Sequence, residues 1–414
     1  MSVQQSTDVD ELLTSPEFYR DPYPAFHRLR AEDPVHWSDA WGGWVLTRYD
    51  DIEKALRDFR RFTKAGHVTK ALDDLPQDVL AKIGPLRQNF SVGMPQTEPP
   101  EHTRVRGLIS KAFTPAIVES TSERIQALVE RLIDTVAQKG EIDLVADFAF
   151  PLPAIVVAEM LGFPTENLDQ IKAWSDGIVS FHGSGRADPE RVLKSNQAFV
   201  EMRDWLRELF EERRGRPKDD LVSSLVAVEE EGAKLTETEL VATCITLLTA
   251  GHETTTGLIT NGMLALLHHP EQRRLLEEDP DLIESAVDEF LRYDPPFQRT
   301  WRLAAEDIEL RGKRIQKGQV VSQMLGAASR DPDQFPDPDR LDITRPDITH
   351  FAFGFGVHYC LGAGLAHREA EIAIPTLLRR LPGLKMAVDE PQWKANITFH
   401  MPESMPLEFE RSAG

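Results

Sequence analysis

Cys360 stands near the end of a glycine-punctuated run, Phe-Gly-Phe-Gly-Val-His-Tyr-Cys-Leu-Gly, that spans residues 353 to 362. Gly354, Gly356 and Gly362 permit backbone angles that side chains forbid, so this segment can fold tightly beneath a flat ligand with amide N–H groups near the sulfur. Such amides, with the start of the helical pattern that follows, lower a thiol pKa and keep the sulfur anionic. The chemistry implied is a thiolate presented to a metal. A lone cysteine in a tight loop is more often an inert buried one, but the three glycines with Phe353 and His358 argue against that here.

A second unusual stretch is Ala250-Gly251-His252-Glu253-Thr254-Thr255, in the middle of a long helical pattern. A glycine there costs a helix about 1 kcal/mol, and adjacent threonines cost further side-chain freedom. The His-Glu pair could open a zinc protease motif, but that motif needs a histidine at 256, which is Thr256.

The Cys360 run closely resembles the heme-binding loop of the cytochrome P-450 family. The resemblance implies Cys360 Sγ as axial ligand of heme iron, Phe353 packed on the thiolate side and His358 reaching a propionate. The stretch from Ala250 to Thr255 resembles the family's oxygen-activation segment. It implies small residues at 250 and 251 beside the macrocycle, Thr254 bonded to a carbonyl one turn back with a local bulge, and Glu253 and Thr254 relaying protons. Glu289-Phe-Leu-Arg292 resembles the family's Glu-x-x-Arg, and Arg340, in the run from Phe335 to Arg340, is expected to complete a buried structural triad with Glu289 and Arg292. His102 and Arg106 match the family's His-x-x-x-Arg; with Arg302 and His358 they form an expected propionate clamp. These motifs fall in family order between residues 99 and 364. By the same resemblance the substrate pocket takes Thr246, Thr249 and Ala250, Gln298 and Thr300, Thr398 and Phe399, and loops around Phe90 and Phe181. The chain departs from the family at His367, where an arginine is usual, and at Pro375 inside the helix after the cysteine; Glu369 matches.

The elements needed to position these residues are legible. A short helix from Tyr23 to Ala31 precedes two strands, Val35 to Ser38 and Trp44 to Thr47, around Gly42-Gly43, which reads as a hairpin. Ile125, Leu128, Val129, Leu132, Ile133 and Val136 recur at helical spacing between Glu119 and Lys139, closed by Gly140. Thr236 and Glu239 form an N-cap and capping box for a helix that runs to about His268, roughly 45 to 50 Å. Ile308 to Leu310 and Ile315 to Val321 read as strands, and residues 181 to 190 as a loop between helices. The expected fold is mainly α with small β-sheets, the cytochrome P-450 fold: a single domain over residues 1–414 with a long central helix over the heme.

The bulk properties agree. A 41% hydrophobic, 28% charged chain of 414 residues can bury an internal cavity. A net charge of −21 argues against nucleic acid and anionic membrane as partners. The polar, acidic opening holds no membrane span or signal core, so a cytoplasmic protein is expected. The two cysteines, Cys244 and Cys360, lie in separate elements; a disulfide framework, a zinc knuckle and covalent heme attachment are excluded. The heme b that the resemblance implies is therefore expected to be held non-covalently apart from its iron bond.

The resemblance implies a monomeric heme-thiolate monooxygenase that inserts one atom of dioxygen into a hydrophobic small molecule. Electrons are expected from a ferredoxin-type donor with its NAD(P)H-dependent reductase, because no reductase-like extension follows the C-terminal strands. Arg104, Lys111, His367, Arg368, Arg379 and Arg380 could give an acidic donor a basic patch, or be scattered solvated charges. Peroxide-driven hydroxylation and a non-catalytic heme sensor or carrier are the alternatives; the presence of Glu253 and Thr254 favours monooxygenation.

Overall fold

Apolar residues at helical spacing account for most of the chain, and strands are confined to short runs between turns. The computed structural model describes residues 9–164, 167–180, 187–227 and 235–411. Phe181 and the loop residues 181–186 lie outside them.

Helix α1 (Tyr23–Glu32) leads into the antiparallel hairpin β1 (Val35–Ser38) and β2 (Gly43–Leu46), with Trp37 opposite Trp44. After β3 (Phe62–Thr63) come α2 (Glu101–Ile109), α3 (Ser122–Asp134) and α4 (Pro151–Leu161). The expected helix up to Lys139 is shorter: a separate helix Pro115–Ser120 precedes α3, which stops at Asp134 before the turn at Gly140. Next are α5 (Glu237–His268), α6 (Ile283–Tyr293), β4 (Arg299–Ala304), β5 (Ile308–Leu310), β6 (Lys313–Ile315), β7 (Val320–Met324) and α7 (Ala363–Arg380). Ile315 to Val321 is not one strand. The chain turns at Lys317-Gly318, so β6 pairs with β5 while β7 joins a five-stranded sheet in the order β1-β2-β7-β4-β3.

Helix α5 is 32 residues long and buried around most of its circumference, as expected of a helix threaded through a core. Its start is set by the capping box: Glu239 N–H donates to Thr236 Oγ1 (3.2 Å) and Thr236 N–H to Glu239 Oε2 (2.8 Å). Ile259, Met263 and Leu266 pack with Val129 of α3, Phe290 of α6 and Ile374 and Leu377 of α7. Helix α7 continues through Pro375.

Glu289 and Arg292 on α6 are fully buried and bidentate, Nε to Oε2 at 2.7 Å and Nη2 to Oε1 at 2.8 Å. The third member is Arg345, not Arg340. Arg345 Nε lies 3.3 Å from Glu289 Oε2, whereas the Arg340 side chain is 65% exposed and pairs with Asp342. Arg340 contributes only its carbonyl, which accepts from Arg292 Nη2 and Arg345 Nη2. A turn at Asp342, whose N–H donates to Glu289 Oε1 (2.8 Å), reverses the chain and aims Arg345 inward.

The C-terminal segment is stapled to α6 through His400. Nδ1 lies 2.9 Å from Asp294 Oδ1, Nε2 donates to the Arg20 carbonyl (3.1 Å), and the ring stacks on Trp393 at 4.3 Å. Burial works against the imidazolium, but Asp294 and the Arg20 carbonyl together hold its pKa above the usual histidine value. With the folded pKa above the unfolded one, this stabilisation is complete below about pH 6.5 and is lost as pH rises through the folded value. The melting-temperature gap between wild type and His400→Gln is therefore expected to narrow from pH 6 towards 9. It corresponds to roughly 1–2 kcal/mol at the acid end; a gap independent of pH would refute the assignment.

Candidate functional site: a cysteine loop facing the long helix

Between the Cys360 loop and α5 lies a cavity. Phe353, His358, Tyr359, Cys360 and Gly362 line one side, and Thr246, Ala250, Gly251, Thr254 and Thr255 the other. Cys244, in contrast, is buried inside α5.

Positive φ angles at Gly354 (+70°) and Gly356 (+71°) bend the loop, and it is closed by Cys360 N–H donating to the Phe353 carbonyl at 2.8 Å. A side chain at Gly362 would project into open space, so the bare backbone there leaves a cradle on the cavity wall. The Phe353 ring packs on His367 (5.3 Å), which places that departure from the family pattern directly behind the loop. The thiol pKa does not follow the expected direction. Although Cys360 opens onto the cavity, the protein around it desolvates the thiolate and raises the pKa by more than the Gly362 amide and the Arg106 guanidinium lower it. A cation against the sulfur is what would restore the anion.

On the opposite wall Thr254 Oγ1 donates to the Ala250 carbonyl at 2.9 Å, as expected, but α5 remains continuous and no bulge opens. Gly251 answers to packing as well as to the cavity, because a Cβ there would meet Val157 of α4 at 3.1 Å.

At the rim, His102 and His358 stand ring to ring at 4.6 Å. His358 Nε2 lies 2.9 Å from Glu98 Oε2, and Glu98 Oε1 also accepts from the Lys64 amide (2.6 Å). Arg302 is 1% exposed, its Nε has no partner, and its Nη1 makes only a long bond to the Phe62 carbonyl (3.4 Å). Burial lowers its pKa to about 10; burial and then the Arg302 charge lower Lys64 to about 7. Lys64 and Arg302 thus crowd one edge beside the Glu98 carboxylate, while Arg106 lines the cavity nearer Cys360. A flat group carrying two carboxylates and a thiolate-seeking metal fits this donor set, since it would partner the orphaned guanidinium and fill the cradle. Lys64 and Glu98 were not among the residues expected from sequence; Glu98 could have been noticed for its place just before Pro99-Pro100 and His102.

The Cytochrome P450 family model matches residues 77–403. The chain belongs to the cytochrome P450 family. It is 40% identical over 409 residues to Cytochrome P450 CYP107DY1 of Priestia megaterium, covering 96% of this chain and 98% of the relative. It is 42% identical over 380 residues to the vitamin D(3) 25-hydroxylase of Pseudonocardia autotrophica, covering 91% and 90%. Among solved structures it resembles P450BioI, crystallised with a hexadec-9Z-enoic acid-ligated acyl carrier protein. The TM-score is 0.88 at 39% identity, covering 95% of this chain and 100% of that one. This P450 is accordingly a heme monooxygenase, an oxidoreductase whose cofactor is heme b and which acts on a small molecule with dioxygen. The fold expectation, mainly α with small sheets, is met.

Glu253 and Thr254 do not face the same space in this P450. Thr254 lines the heme cavity, whereas Glu253 lines a second cavity with Lys172, Asp176, Lys394 and Asn396. Glu253 is 6% exposed and its Oε2 lies 3.0 Å from Lys394 Nζ. Burial pushes its pKa up, but Lys394, His252 and a hydrogen bond with Asp176 outweigh it and hold the carboxyl below its ordinary value. Lys394 is distant in sequence, and no local pattern announced it. On the cavity's cysteine side, burial holds Glu369 well above the usual carboxyl range, a neutral acid with one unpartnered oxygen.

Of the expected pocket residues, Thr246 and Ala250 line the heme cavity. Thr249 instead turns back to the Ile245 carbonyl (2.9 Å), Gln298 donates to the Pro295 carbonyl (2.9 Å), and Phe399 lines the Glu253 cavity. Thr300, Thr398 and Phe90 are buried but outside its lining. The cations that could have formed either a basic patch or scattered charges are largely paired: Arg104 with Glu239, His367 with Asp288, Arg368 with Glu119, and Arg379 and Arg380 with Glu130. Among the described residues no helix is long and apolar enough to cross a membrane.

Proposed function

We propose that this chain, as one domain over residues 1–414, holds heme b through Cys360 and uses electrons from a ferredoxin and its reductase to hydroxylate a hydrophobic small molecule in the cytoplasm, as a monomer. The observation that carries this reading is the cavity in which Cys360 faces Thr254, with Arg302, whose Nε has no partner, beside its rim.

Bound through a thiolate, the heme supplies oxygen activation, the sulfur favouring O–O cleavage. His102, Arg106, Arg302 and His358 would hold its propionates, with Lys64 a fifth candidate. Thr254, bonded to Ala250, presents its hydroxyl oxygen to the cavity and can hand on a proton that Glu253 collects from the outer cavity. Because Glu253 is turned towards Lys394, proton delivery requires that carboxylate to leave the ion pair and swing round the helix. The mostly apolar remainder of the wall, including Val157, Leu247 and Leu365, excludes water from the reacting carbon.

Turnover with a ferredoxin chain and NAD(P)H tests the reading, and product formed only with added peroxide would overturn it. The paired state of the proximal cations makes donor binding less steeply salt-dependent than an open basic patch would. Thr254→Ala is expected to retain heme but to divert electrons into free peroxide, lowering product per electron roughly tenfold or more. Unchanged coupling would remove Thr254 from the proton route.

A further inference from the structure

Strand β4 delivers an arginine to each of its faces. Side chains alternate along a strand, so Arg302 goes to the heme rim while Arg299 joins Trp301 on the other face. Arg299 is 6% exposed, and no carboxylate lies against it among the described residues. Its guanidinium sits between two indoles, 5.1 Å from Trp41 and 5.0 Å from Trp301. Its hydrogen bonds are weak: Nε to Thr398 Oγ1 at 3.3 Å and Nη1 to Ser322 Oγ at 3.5 Å, with no bond to Nη2. Burial lowers its pKa to about 9, which leaves it charged at neutral pH.

This guanidinium forms part of the wall of a cavity of about 540 Å³, separate from the heme cavity and rich in tryptophan, with Trp37, Trp41 and Trp301 beside Val68 and Leu75. Lys70 and Asp74, both exposed, border it with opposite charges, so Arg299 supplies its net charge. A guanidinium with no carboxylate beside it and one edge open to the cavity is available to an anion that enters there. The indole faces compensate in part, but they offer Nη2 no acceptor. The planar fork suits a carboxylate, one net charge suits a monoanion, and the aromatic and aliphatic walls suit an apolar body.

We propose that the Arg299 cavity is a binding site for the carboxylate end of an elongated apolar acid. Binding there does not depend on the hydroxylation reading, and its test is independent of turnover.

The experiment uses the full-length, heme-loaded protein and follows tryptophan fluorescence, because three indoles line the site, with calorimetry as a second readout. Dodecanoic acid, its methyl ester and dodecyl phosphate are titrated in parallel. The acid is expected to quench and to bind about 10- to 100-fold more tightly than the ester. R299L is expected to remove that difference while leaving ester binding and the reduced carbonyl spectrum unchanged, and R299K to restore part of it. Equal binding of acid and ester by wild type would overturn the proposal even if R299L fails to fold. Tighter binding of the phosphate than of the acid would overturn the carboxylate assignment. Failure of turnover with unchanged acid binding would count against the hydroxylation reading alone.

Discussion

Glu289→Ala is expected to lower stability by about 3–5 kcal/mol, enough to leave much of the protein unfolded or without heme at 37 °C. Glu289 is fully buried and accepts from Arg292 and Arg345 at once. Its removal leaves two buried guanidinium groups facing one another without the anion between them. Their other bonds go to carbonyls of Ser329, Pro336, Pro338 and Arg340, so the loss spreads into the segment leading to the cysteine loop. Arg345→Ala is expected to act in the same direction, and Arg340→Ala, whose side chain is largely exposed, to change stability by less than about 0.5 kcal/mol. Denaturant midpoints of the three variants decide it; equal effects at 340 and 345 would refute the triad as drawn.

Cys360→Ser is expected to abolish monooxygenase turnover and the long-wavelength band of the reduced carbonyl adduct, while the melting temperature of heme-free protein stays close to wild type. Serine preserves the size of the side chain and the loop bond from residue 360 N–H to the Phe353 carbonyl. What it removes is the soft, readily ionised sulfur that the cavity presents. The second cysteine cannot substitute, since Cys244 is buried in α5 with its thiol pushed up to about 12 by burial. A variant that kept the thiolate-type spectrum would end the assignment of Cys360 as ligand.

Much of this fold is legible in the sequence. The capping box at Thr236 and Glu239, the β1–β2 hairpin and the loop glycines at 354 and 356 are local: each element's geometry is decided by bonds within a few residues. The pairing of Glu289 with Arg292 was local for the same reason, both lying on one face of α6.

Several choices between distant candidates came out differently. Arg340 and Arg345 are alike in composition and five residues apart, and only the chain reversal at Asp342 points one of them at Glu289. Thr249, Thr398 and Gln298 found backbone or side-chain partners outside the heme cavity, because buried polar groups are satisfied by whatever partner the fold brings to them. The single strand from Ile315 to Val321 became two because β7 had a better partner across the molecule, in β2 and β4.

The cysteine loop, the long capped helix with its Glu253-Thr254 step and the family to which they belong follow from contiguous patterns along the chain. Tertiary structure alone decided that Glu253 turns away from Thr254 to Lys394, that the proximal cations are mostly neutralised, and that Arg299 and Arg302 serve opposite sides of one strand. Coulombic and desolvation energies depend on which groups the folded chain brings within a few ångströms, and spacing along the sequence does not carry that distance.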